Sequence, residues 1–209
     1  MKYLLIISCL LFTSVGWSKD VSMDDLVQRD GLYYEKFTKD PFTGNVVGKE
    51  QGKISKGKID GEWISYWDNG QLMSQQNYKD GLKDGEHLDY FENGKLRLKV
   101  NWKDGRWEGE WREYWDNGVL MYFRNYKDGT LDGEWLSYNY NGQLTFKGNW
   151  KDGKSEGEWL NYYKNGQLHI KSNYKDGKED GEWIYYYENG QLEWKRIYKD
   201  GNIIKTIKP

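Results

Sequence analysis

Asp60-Gly61-Glu62-Trp63 returns as Asp84-Gly85-Glu86-His87 and then as Glu108-Gly109-Glu110-Trp111. Asp132-Gly133-Glu134-Trp135, Glu156-Gly157-Glu158-Trp159 and Asp180-Gly181-Glu182-Trp183 follow, each step being 24 residues without an insertion. Two further marks keep the same ruler. One is Asn69-Gly70-Gln71-Leu72, continued at Asn93, Asn117, Asn141, Asn165 and Asn189. The other is Tyr78-Lys79-Asp80-Gly81, continued at Trp102, Tyr126, Trp150, Tyr174 and Tyr198. Six copies in strict register mean that each copy is one supersecondary unit and buries its apolar side against the next.

Two turn signals per copy imply two strands per copy. Asn-Gly favours a two-residue type I′ turn, in which both central residues take positive φ. Centring the turn on Asn69-Gly70 sets Asp68 against Gln71, Trp67 against Leu72, Ser65 against Ser74 and Trp63 against Gln76. The other junction carries two Asp-Gly pairs, Asp80-Gly81 and Asp84-Gly85, and suits a longer turn. With Tyr78 opposite His87, Lys79 faces Glu86. The same match follows at Lys103/Glu110, Lys127/Glu134, Lys151/Glu158 and Lys175/Glu182. Such pairs contribute little when exposed and serve mainly to fix register.

A period of two sorts the faces. One face takes Trp63, Trp67, Leu72 and Tyr78 and their equivalents in later copies. The other takes Ile64 and Tyr66, Leu88 and Tyr90, Leu136 and Tyr138, with Gln, Lys, Arg and Asn between them. The expected fold is all-β: an elongated, single-sheet antiparallel β-meander of about 14 strands, built from 24-residue β-hairpin repeats. Helical periodicity is confined to the short stretch Ser22–Val27. An uncovered aromatic face on a flat single layer requires either strong curling of the sheet or something that covers it.

The ends depart from the ruler, as capping units do. Residues 1–18 read as a signal peptide: Lys2, an apolar run from Tyr3 to Val15, and small Gly16 and Ser18 before the cut. Ile6-Ile7-Ser8-Cys9 has the shape of a lipidation box but stands too early in the leader. Cys9 is the single cysteine, so the mature chain is free of disulfides in a compartment that permits them. Residues 19–59 form an N-terminal cap with a shortened repeat that opens at Pro41-Phe42-Thr43-Gly44. Residues 60–201 hold the six full repeats, and residues 202–209 a last strand and tail. The expected location is exported, periplasmic or secreted.

Chemistry is sparse by comparison. Catalysis needs unlike residues converging at one place, whereas here polar residues recur as columns. The carboxylates of Asp60 and Glu62 and their equivalents flank glycine and read as turn residues. The Asp-Gly junctions lack the ligand alternation of a calcium loop. His87 replaces a tryptophan in its column, and His169 has no second ligand at zinc spacing. No cofactor and no metal are expected, and the protein is not an enzyme. The net charge of −2 removes the long-range attraction that nucleic acid needs, so nucleic acid is not an expected partner. Aromatic residues make up 17% of the chain, which opposes disorder despite 31% charged residues.

The series Asp-Gly-Glu-Trp, Tyr, Asn-Gly-Gln-Leu, Tyr-Lys-Asp-Gly over Asp60 to Gly201 resembles the MORN-repeat variant family, in the form of bacterial YwqK-type antitoxin-like proteins. The resemblance implies an elongated meander used for binding without catalysis, with roles as protein partner, membrane-associated scaffold, or antitoxin or immunity component. The leader departs from a cytoplasmic antitoxin and points toward an envelope immunity role. Two readings follow. The first is an exported protein-interaction scaffold of the immunity or antitoxin type, with a protein partner or a second copy as a homodimer. The second is a carbohydrate- or cell-envelope-binding module that contacts glycan or a membrane surface through its rings. In both, Trp111, Trp115, Trp135, Trp159 and Tyr163 at the middle of the aromatic face are the candidate binding residues, because rigid rings anchor partners at low entropic cost.

Overall fold

A computed structural model of the chain describes residues 19–208. The leader expected over residues 1–18, Cys9 included, lies outside them. The described part is almost entirely β. Its one helical turn is a 3-10 turn at Met23–Asp25, where the Ser22 N–H and hydroxyl both donate to Asp25 Oδ2 at 3.0 and 2.8 Å.

One open sheet of 18 strands carries the repeats. It starts with a parallel pair, Asp20–Val21 beside Gly44–Val46. From there each strand pairs antiparallel with its neighbour in sequence, through Glu50–Ser55, Lys58–Tyr66 and Leu72–Lys79, to Asn202–Ile207 at the far edge. Two rows are each made of two collinear pieces, Lys154–Ser155 with Gly157–Tyr162 and Lys178–Glu179 with Gly181–Tyr186. The expected hairpin meander is therefore the observed fold.

The two turns exchange the roles assigned to them from sequence. Asp80 and Gly81 have φ of 51° and 84°, and Lys79 pairs with Leu82. Asp-Gly is thus the two-residue type I′ turn, since aspartate tolerates the left-handed region and glycine has no Cβ to clash. At the Asn-Gly end, the Gly70 N–H donates to Trp67 O at 2.9 Å and the Trp67 N–H to Gln71 O at 2.8 Å. Only Gly70 takes positive φ there, at 81°. The loop is the three-residue type, Asp68-Asn69-Gly70, so Trp67 faces Gln71 and Tyr66, not Trp67, faces Leu72. The inner pairs Ser65/Ser74 and Trp63/Gln76 fall as expected.

The second Asp-Gly of the junction is a bulge rather than part of a turn. Gly85 has φ of 109°, and the pairing slips between Gln76/His87 and Tyr78/Lys83. Asn77 fills the gap by donating from Nδ2 to Glu86 O at 3.0 Å. Because Asp80-Gly81 closes the hairpin at once, Tyr78 faces Lys83, and the expected Lys79/Glu86 match does not form. Lys103, Lys127, Lys151 and Lys175 likewise face Arg106, Thr130, Lys154 and Lys178 instead of glutamates. The glutamates pair along the other hairpin: Glu86 with Lys99, Glu134 with Lys147, Glu158 with Lys171 and Glu182 with Lys195. These pairs are half-exposed and register-fixing rather than strongly stabilising.

Neighbouring copies are tied edge to edge. The carboxylate that opens each repeat accepts the N–H of a turn aspartate 20 residues on. Glu108 Oε2 takes Asp128 at 2.9 Å, Asp132 Oδ2 takes Asp152 at 3.1 Å and Glu156 Oε2 takes Asp176 at 3.0 Å. At the opposite end Asn69 Nδ2 donates to Glu92 O at 3.0 Å, and Asn165 Nδ2 to Glu188 O at 2.9 Å. The columns of Asp, Glu and Asn thus satisfy backbone groups at both edges of the ribbon.

Among the described residues, the N-terminal segment makes a compact core. Val21, Leu26, Phe42, Val46, Ile54 and Trp63 are buried together, with Tyr33, Ile59 and Tyr78 packed on them. A separate two-stranded sheet, Leu26–Arg29 with Leu32–Glu35, contributes Leu26 and Tyr33 to this core. The cap therefore covers the start of the aromatic face, where Trp63 is only 5% exposed. Trp111, Trp135, Trp159 and Trp183 occupy the same place in later copies and are all partly exposed.

Candidate functional site

In every repeat but the second, where His87 stands, a tryptophan follows the bulge glycine by two residues, and the bulge aims it across the neighbouring strand. Its partners vary: Trp63 pairs with Gln76 and with Gly52, Trp111 with Val100 and Arg124, Trp135 with Arg124 and Gly148. Trp159 lies over Gly148, where an added Cβ would meet Trp159 Cδ2 at 2.8 Å and Phe146 Cζ at 3.1 Å. Gly148 leaves the room in which the Trp159 indole lies down on the sheet.

The rings touch in series. Trp102, Trp107, Trp111 and Tyr126 form one group, with Trp107 set edge-on to Trp111 at 4.9 Å and 84°. Trp135, Phe146, Trp150, Trp159 and Tyr174 form the next, which runs on to Trp183 and Tyr198. Arg124 joins the two groups. Its guanidinium lies 6.0 Å from the ring of Trp111, 4.5 Å from Tyr122 and 5.1 Å from Trp135. The indole N–H groups of Trp102, Trp107, Trp111, Trp135 and Trp150 are buried without an oxygen or nitrogen partner. The rings that carry them pack against one another.

The five candidate residues therefore divide. Trp111, Trp135 and Trp159 belong to the ring ladder. Trp115 and Tyr163 stand in another column at the Asn-Gly edge and clamp the following copy. The Trp115 indole donates to Tyr138 O at 3.2 Å and the Tyr163 hydroxyl to Tyr186 O at 2.8 Å. Trp67 does the same toward Tyr90 O at 3.2 Å. Sequence reasoning passed over Trp107 and Arg124, which complete the ladder. The sign of Arg124 was its place between two tryptophans across the strands, readable only once the register is correct.

It also passed over a polar cluster in the second repeat. His87 Nε2 and Asp89 Oδ1 lie 2.8 Å apart, and Arg97 Nη2 donates to Asp89 Oδ2 at 2.6 Å. Lys83 Nζ approaches His87 Nδ1 at 3.4 Å and sits over the Trp102 ring at 4.9 Å. Burial pushes the Asp89 carboxyl up, but the His87 hydrogen bond and the charges of His87, Arg97 and Lys83 outweigh it and hold the group below its usual range. Burial pushes the Lys83 ammonium down, against the pull of Asp89. Among the described residues, no group of three or more His, Cys, Asp or Glu could hold a metal ion, and no helix is long and apolar enough to cross a membrane.

Six segments, residues 59–80, 83–104, 107–128, 131–152, 155–176 and 179–200, match the family model described as MORN repeat variant. Together they span well over half of the chain. Among curated proteins nothing matches it.

Proposed function

The chain belongs to the MORN repeat variant family, and from that premise we propose that it is a non-enzymatic scaffold that holds a protein partner against its ring ladder. Repeats of this family commonly serve protein or membrane interaction. The supporting observation is the contrast along one column. The N-terminal cap buries Trp63, while Trp111, Trp135 and Trp159 continue the same column partly exposed. A contiguous aromatic strip with rigid rings and an embedded arginine has the composition of an interaction hot spot.

We further propose that the scaffold is exported to the cell envelope, on the leader read over residues 1–18, and acts there as an immunity-type partner of a toxin. Mass spectrometry of the exported protein should then show a chain beginning near Lys19. The binding test is Trp135→Ala, with a melting curve and a binding isotherm taken on the same sample. The partner is first trapped by cross-linking in envelope extract and then purified. A surface anchor loses about 2 kcal/mol or more of affinity and little stability. A loss of about 3–5 kcal/mol in stability with unchanged affinity would assign the ladder to the core alone and reject the reading.

A further inference from the structure

We propose that two adjoining hollows at the Asn-Gly edge of the first four repeats each bind a neutral disaccharide, with Trp67 the ring platform of the first, Trp115 that of the second and Arg97 between them. The site is distinct from the ring ladder of the scaffold reading and does not depend on it.

The first hollow has a volume of about 570 Å³ and is walled by Trp67 and Phe91, with Gln76, Asp89, Glu92 and Arg97 as its polar groups. The second, about 420 Å³, is walled by Trp115 and Tyr140, with Glu113 and Asp116, and shares Phe91 and Arg97 with the first. Both volumes suit small ligands. Within each hollow the walls of successive copies, Trp67 and Phe91 or Phe91 and Trp115, are two strands apart, roughly 10 Å, which matches the length of a disaccharide, whereas Trp67 and Trp115 are four strands apart and serve separate ligands.

The flanking copies do not carry Arg97 or His87. Arg97 stands where Met73 and Met121 stand in those copies, and His87 replaces the column tryptophan. Asp89 stands between Ser65 and Glu113 in its column. The two departures converge on it: Asp89 is fixed by His87 on one oxygen and by Arg97 on the other. Arg97 is the extra residue of a strand bulge, between Leu96 opposite Tyr90 and Leu98 opposite Asp89. A bulge re-aims its side chain, here toward Asp89 and both hollows.

The charges decide the ligand class. An anion would meet the carboxylates of Asp89, Glu92, Glu113 and Asp116. A cation would be set against the guanidinium of Arg97, which lines both hollows. An apolar ligand would strip water from all of these groups without replacing it. Sugar hydroxyls both donate and accept, so they satisfy carboxylates and guanidinium together. Arg97 spends one donor on Asp89, and a guanidinium has five. The C–H face of a pyranose lies against the electron-rich face of an indole, which the two platforms supply.

The test is calorimetry on the full chain with five probes: cellobiose, maltose, the N-acetylglucosamine dimer, digalacturonate and trilysine. At least one neutral disaccharide should bind, more tightly than digalacturonate or trilysine. Arg97→Met, which restores the residue of the flanking copies, should weaken binding by about tenfold, equivalent to about 1.4 kcal/mol, at unchanged melting temperature. Glu113→Gln is the second variant and should weaken binding severalfold, so a folding defect in the first leaves the result readable. Trp135→Ala should leave sugar binding intact, which separates this site from the scaffold surface. Failure of all three neutral sugars to bind, tighter binding of trilysine or digalacturonate, or wild-type affinity in the variants would overturn the proposal.

Discussion

Gly148→Ala sets two opposed effects against each other. Gly148 is buried in the strand Leu144–Lys151 and has ordinary negative φ, so alanine meets no backbone strain. Removing glycine freedom from the unfolded chain should then stabilise by about 0.4–1 kcal/mol. Against this, the new Cβ would lie 2.8 and 2.9 Å from two Trp159 ring atoms and 3.1 Å from Phe146. Ordinary carbon contacts begin near ~3.5 Å, so the indole must lift by roughly 0.7 Å. Trp159 is poorly free to lift. Its Nε1 donates to Asn149 O at 3.1 Å, and its ring meets Phe146 at 5.2 Å, Trp150 at 5.4 Å and Tyr174 at 4.9 Å. Overpacking of this kind costs about 1–3 kcal/mol. The clash wins, and the net expectation is a loss of about 1–2 kcal/mol. Urea unfolding followed by far-ultraviolet circular dichroism measures it, as a lower midpoint at unchanged slope, provided the transition is single. Ser172→Ala in the same column already has its Cβ and is the control. A stabilised Gly148→Ala variant would refute the reasoning, because it would mean that the indole lifts freely and the ladder is soft.

Other expectations follow from the ties between copies. Asp132→Ala removes the acceptor of the Asp152 N–H; stability should fall by about 0.5–1 kcal/mol with faster exchange of that amide, and Asp132→Glu should restore both, since other copies use Glu108 and Glu156. Gly118→Val places a Cβ in open space but at φ 91°, so its cost of about 1–3 kcal/mol is backbone strain; hydrogen exchange should rise in its own hairpin and the two beside it, and an equal rise in terminal repeats would contradict nearest-neighbour coupling. Asp89 has a folded-state pKa below its unfolded value, so the folded state binds fewer protons and its contribution is complete above about pH 4 and lost as pH falls through the folded value. Melting temperature against pH should therefore fall less steeply for Asp89→Asn than for the wild type below about pH 4.

The ruler made the architecture legible because a 24-residue period with two glycine turns leaves few alternatives. It did not rank the turns. Both Asn-Gly and Asp-Gly suit positive φ, and choosing the first for the tight turn moved every Lys/Glu pair to the wrong partner. What separates them is side-chain work: Asn69 accepts the Gln71 N–H at 2.9 Å and donates to Glu92 O, a role that needs an amide in a longer loop. Of the candidate site, the faces of Trp111, Trp135 and Trp159 were readable from alternation. The edge role of Trp115 and Tyr163 was not, because their hydrogen bonds reach 23 residues ahead, beyond the hairpin that contains them.

In a chain of near-identical copies, a residue required by the lattice appears in every copy, and a column that changes chemistry must be explained copy by copy. The column of Gln76, Val100, Arg124, Gly148, Ser172 and Arg196 changes chemistry from copy to copy, yet each member from Val100 to Arg196 answers one demand, to pack beside a tryptophan. Gly148 and Ser172 do so by leaving room, and Arg124 by stacking its guanidinium between two rings. That variation is structural and predicts no ligand. The second repeat differs in kind. Replacing a column tryptophan by His87 removes a large indole from the layer. His87 in its place is buried against Asp89, which is in turn paired with Arg97 at the wall of the hollow. A lattice seeking only stability gains little from a partly buried ion pair set beside a hollow, since its desolvation offsets its attraction. The hollow beside Trp67 is thus the place where repeat packing ceases to explain the residues, and where a ligand does.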